Sequence, residues 1–113
     1  LARSGAALAG VASFHGSLGT SAPATAGAVK TPLLVMNGAD DAFVKPEEID
    51  GFEKEMREAG ADWQFVNFGG AVHCFAEPDE DGSVIPGCKY HEPSYRRSMA
   101  MMRGFFDERF AAE

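Results

Sequence analysis

The stretch at 33–46, LLVMNGADDAFVKP, limits what this chain can fold into more than any other. It opens with a short apolar run, 33–36, bounded by Pro32 before it and Asn37-Gly38 after it. That length and those boundaries suit a buried strand better than a helix. Two adjacent carboxylates follow, Asp40 and Asp41, then Phe43-Val44, and then Pro46, which suits the first turn of a helix. Glu47 and Glu48 favour the positive end of the helix dipole, and Gly60 is a natural stop. Over 46–59 one face carries Ile49, Phe52, Met56 and Ala59, and the other Glu53, Lys54, Glu55 and Arg57. A strand that ends in an acid-bearing turn and feeds a helix is the corner where open parallel sheets keep their functional groups.

The rest of the chain fits around that corner. Residues 10–14 read as a first strand ending at His15-Gly16, and 16–31, rich in Gly, Ser, Thr, Ala and Pro, as a crossover loop. A third strand is expected at 62–67, broken by Gly69-Gly70 and followed by Val72-His73-Cys74-Phe75. An acidic loop fills 77–93, and Ser94 is a plausible N-cap for a last helix ending near Phe110, with Tyr95, Met99, Met102, Phe105, Phe106 and Phe110 as its apolar face. Ahead of all this, residues 1–5 read like the last turn of a helix closed by Gly5. The order predicts an α/β fold, one domain over 1–113, with about three parallel strands and flanking helices.

The totals exclude several functions. A net charge of −7 on 113 residues argues against nucleic acid and anionic membrane surfaces, which call for basic patches. No apolar run approaches the roughly 20 residues of a membrane span. No secretory signal is visible, so a cytoplasmic protein is expected. Its cysteines, Cys74 and Cys88, are too few for a disulfide framework; free thiols are the default, and a bond between the two requires the 77–93 loop to fold back.

The chemistry gathers at the strand ends. Asp41 follows the second strand and His73 the third, so parallel neighbours about 4.8 Å apart bring their loops out side by side. A carboxylate there can orient one imidazole nitrogen and leave the other as a general base. Acid then histidine, on successive strand ends, is the chain order of an α/β hydrolase after its nucleophile.

GVASFHGSL, LLVMNGADDAFV, AGADWQFVNFGGAVHCF and YRRSMAMMRGFF together resemble the C-terminal half of a dienelactone hydrolase, over nearly the whole chain. The segments Gly38-x-x-Asp41-x-Phe43-Val44 and Gly70-Ala71-Val72-His73-x-Phe75 carry most of the resemblance. It implies that Asp41 is the triad acid and His73 the triad histidine, with Asp40 a turn residue. His15, at the end of the first strand, is expected to face the same pocket and, with Phe43 and Phe75, to line the substrate site. For His15 the plainer alternative is a loop histidine bonded to backbone. The implied substrate is a small ester or lactone, with no cofactor.

The departure from the family pattern is the nucleophile. Neither G-x-S-x-G nor G-x-C-x-G occurs here, so the expected fold is a truncated α/β hydrolase whose acid and histidine have nothing to activate. An elbow motif encoded upstream of Leu1 would make the chain part of an enzyme. A gene starting here would make it a stand-alone binding or vestigial module. Truncation also predicts a homo-oligomer through the first-strand edge, which has no Lys, Glu or Pro to guard it.

Other groups read more plainly. Cys74 is expected as a buried, inert thiol rather than a dyad partner of His73. Glu77-x-Asp79-x-Asp81-Gly82 imitates half a calcium loop but puts Cys88 where a bidentate Glu is needed. The histidine spacing offers no metal site. The Met99, Met101, Met102 cluster reads as core, and Arg96-Arg97 as a solvated face.

Overall fold

A computed structural model describes residues 1–111. Strands β1 (Val11–Phe14), β2 (Leu33–Gly38) and β3 (Trp63–Phe68) pair in parallel in the order β1-β2-β3. Helix α1 (Pro46–Glu58) crosses from β2 to β3, and α2 (Glu92–Phe110) closes the chain. The 2–4 segment is a single 3-10 turn ended by Gly5 in the left-handed region at φ 85°, as the glycine stop foretold.

Every residue of β2 is buried, which explains its unbroken apolar run. Its side chains alternate between two cores. Leu33 and Val35 pack with Phe52 and Met56 of α1, with Ala59 at its C-cap, and with Leu18 and Val29 of the crossover loop. Leu34 and Met36 pack on the other face with Phe68, Ala71, Phe75 and Phe105 of α2. Helices on opposite faces leave the C-terminal edge of the sheet free to carry chemistry.

Several expectations need correction. β2 and β3 run further than the apolar pattern implied, through Gly38 and Phe68, because their ladder continues to the pair Gly38–Phe68. Glu55 is not on the solvated face of α1 but buried. Arg3 Nε donates to its Oε2 at 2.7 Å and Arg3 Nη2 to its Oε1 at 2.8 Å, so the turn at 2–4 supplies the countercharge. The partner also holds the Glu55 carboxyl below its usual range. The last helix starts before Ser94, with His91 as N-cap and Pro93 in the first turn. Ser94 lies buried inside that turn with its Oγ 2.6 Å from His91 Nδ1. Phe110 is exposed rather than part of the apolar face, and stacks on Phe106.

The cysteines are bonded. Cys74 and Cys88 form a disulfide, against the expectation of free thiols. The intervening loop does fold back: Lys89 N–H donates to the His73 carbonyl at 2.9 Å, and His91 N–H to that of Phe75 at 3.0 Å. Those bonds bring the loop's far end beside Cys74.

Candidate active site

Strand β2 ends at Gly38 and turns at once. Ala39 N–H donates to the Phe68 carbonyl and Asp40 N–H to the Ala71 carbonyl, both at 2.9 Å, so the acid turn is stitched to the segment leading to His73. Asp40 points outward and is exposed. The Asp41 side chain has no exposed surface: Phe43 N–H donates to Oδ1 at 2.8 Å, the local ring favoured by an Asp in a turn. Oδ2 lies 2.8 Å from Nδ1 of His73. An ionised carboxylate only accepts, so the shared hydrogen sits on Nδ1, and Nε2 is left as the basic nitrogen. The imidazole is 29% exposed, enough for a reacting group to reach it.

Around that ring stand two aromatic neighbours. His15, just past the tip of β1, lies edge-on to it with ring centroids 5.4 Å apart. Phe43 makes a similar contact at 5.2 Å. Burial lowers the pKa of His15; Glu77 and Asp41 pull it upward, and a positive charge on His73 would lower it further. Phe75 is elsewhere than expected. It has no exposed surface and lies beneath the site, 5.3 Å from the His15 ring and 5.5 Å from Phe68, so it supports the wall rather than forming it. His15, Asp41 and His73 thus follow the tips of three adjacent strands.

The chain matches the dienelactone hydrolase family over residues 1–110. It belongs to that family. Among solved dienelactone hydrolase-like structures, m3DLH is 39% identical and superposes with a TM-score of 0.89, over 97% of this chain and 46% of its own. The dienelactone hydrolase-like promiscuous phosphotriesterase P91 from metagenomic libraries is 35% identical, with a TM-score of 0.85 over 95% of this chain and 45% of its own. Uncharacterized protein K02A2.1 of Caenorhabditis elegans is 32% identical over 79 residues, covering 70% of this chain and 50% of that protein. The chain therefore spans about half the length of the relatives it matches.

Among the described residues of this dienelactone hydrolase family member, no serine or cysteine is hydrogen-bonded to His73. Cys74 is tied to Cys88, and Ser13 lines a different place, an apolar groove of about 380 Å³ on the α1 side of the sheet with Val11, Leu33, Phe52 and Met56. Sequence reasoning set free thiols above the Cys74–Cys88 bond, whose partners are 14 residues apart and whose closure depends on the loop folding back. Among the described residues one group has metal-ligating spacing, Cys74, Glu77 and Cys88, but both sulfurs are consumed by the disulfide. Among the described residues no helix is long and apolar enough to cross a membrane.

Proposed function

We propose that this chain supplies the acid and the histidine of a carboxylic ester or lactone hydrolase, with the nucleophile contributed by residues outside 1–113. The observation that carries the reading is the 2.8 Å contact between Asp41 Oδ2 and His73 Nδ1 at the tips of neighbouring strands. In that reaction His73 Nε2 takes the proton of the attacking hydroxyl or thiol and hands it to the leaving alcohol. It then takes a proton from water, which attacks the acyl intermediate. Asp41 fixes the imidazole and stabilises the cation that forms on it. Phosphotriesters are a second substrate class to test, since P91 is described as a promiscuous phosphotriesterase.

Complementation tests this. The chain is refolded alone and together with the part of m3DLH that it does not cover, and hydrolysis of a small activated ester is followed. The expected result is turnover only in the mixture, lowered about 10³- to 10⁴-fold by Asp41→Asn or His73→Ala. Turnover by the chain alone that survives His73→Ala, or an inert mixture in which the two segments have associated, would overturn the proposal.

A second reading, a non-enzymatic oligomeric binding module, is favoured by the free edge of β1 and the apolar groove beside it. The same complementation separates the two.

A further inference from the structure

Among the described residues two other than glycine hold their backbone in the left-handed region, His15 at φ 42° and Cys74 at φ 62°. Both adjoin His73: Cys74 follows it in sequence, and the His15 ring lies edge-on to it. A residue with a β-carbon adopts this conformation at a penalty that glycine escapes, and such strain collects at functional sites. For Cys74 the disulfide and the returning loop account for the geometry. For His15 the backbone does not: its N–H donates to the Met36 carbonyl at 2.9 Å, a bond that glycine would make equally well. What glycine could not supply is the ring.

That ring has a definite use. The terminal torsion of a histidine is broad and roughly two-fold, so a 180° flip of the His73 ring would turn a carbon, not Nδ1, toward Asp41. The bond to Asp41 decides between the two, and packing on the ring limits how far it can rock out of that bond. Phe43 provides one packing contact, but it is 53% exposed. His15 is half-buried and rests on Phe75, which has no exposed surface.

We infer that His15 is a positioning residue that holds the His73 imidazole in the orientation presenting Nδ1 to Asp41. Its chemistry suits the place. The charged or titratable groups facing it are His73, Asp41 and Glu77, and burial outweighs the two carboxylates in favouring its neutral form. A neutral neighbour leaves His73 free to accept a proton. The inference rests on the reading of Asp41 and His73 as a hydrolytic pair, and its main test needs no turnover.

In the full chain labelled with ¹⁵N, proton NMR follows the hydrogen-bonded Nδ1 proton of His73. His15→Gly should keep or raise Tm, since glycine relieves the left-handed backbone, yet lose that signal to solvent exchange. His15→Phe should restore it through the shape of the ring. In the complemented hydrolase, His15→Gly should lower kcat several-fold with little change in KM. A signal retained in His15→Gly overturns this inference alone. So does loss of the signal in both variants, or a Tm of His15→Gly that falls with the signal, which would make His15 a purely structural residue. Absence of the signal in the unsubstituted chain overturns the Asp41–His73 reading and the inference with it.

Discussion

Gly38 and Val72 meet so closely that a β-carbon on Gly38 would stand 2.6 Å from the Val72 carbonyl oxygen and 2.7 Å from that of Ala71. The end of the acid-bearing strand and the approach to His73 are therefore in backbone contact. Both oxygens belong to main chain and cannot swing aside. Gly38→Ala should push the two segments apart, lower stability by at least about 2 kcal/mol and break the Asp41–His73 contact. Urea unfolding and the His73 Nδ1 proton resonance check the two effects separately. A variant with unchanged midpoint and resonance would show that the loop yields freely.

Arg3 and Glu55 bind the first turn to α1, and Glu55 Oε2 also accepts the Ala24 N–H at 2.8 Å. Removing the guanidinium leaves a buried carboxylate without its countercharge, so Arg3→Ala should be destabilising by about 2 kcal/mol near neutral pH. The sign of its pH dependence follows from the lowered pKa of Glu55 in the folded chain. The ion pair's contribution is complete above the unfolded carboxyl value of 4.5 and fades as pH falls through the lower folded value. Thermal unfolding of both proteins across the acid range should show the gap narrowing below pH 4.5. A constant gap would mean that Arg3 acts by packing alone.

The pairing of Cys74 with Cys88 closes a loop of sequence separation 14. Restricting such a loop in the unfolded chain is worth about 3 kcal/mol. Both residues are buried, so a mild dithiol should act slowly on the native chain. Full reduction, or the double change Cys74→Ser with Cys88→Ser, should lower Tm and loosen the segment after His73. Hydrogen exchange at Lys89, whose N–H is held by the His73 carbonyl, reads the loosening directly.

Among the described residues the outer edge of β1 has no neighbouring strand. We expect two chains to associate there, with the apolar groove lined by Leu1, Leu8 and Val11 partly covered. Light scattering at micromolar concentration should give a dimer or larger assembly. A monomer would count against this prediction and, with it, the binding-module reading.

Much of the architecture was legible because it is written locally. The apolar run of β2, Pro46 and Gly60 punctuate their elements, and parallel order places Asp41 and His73 at adjacent strand tips. His15 was legible for the same reason, as the residue after β1. What escaped depends on partners remote in sequence. The amphipathic pattern puts Glu55 among charged neighbours, and only Arg3, 52 residues away, draws it inward. The fold-back that joins the cysteines is made by backbone bonds of Lys89 and His91, which leave no mark in residue type. The start of α2 did leave one in Pro93, a residue at home in a first helical turn, which outweighs Ser94 as a boundary signal. Phe75 belongs to a motif beside His73, and motif membership does not say which way a ring points.

The covalent tie between Cys74 and Cys88 spans the exposed Val84 and Ile85. A protease that nicks the backbone at that outer turn would produce two pieces still joined through sulfur, running as one band until a thiol is added. The peptide carrying His73 and the one carrying α2 would stay in register after the cut, so damage at this exposed turn need not scatter the site.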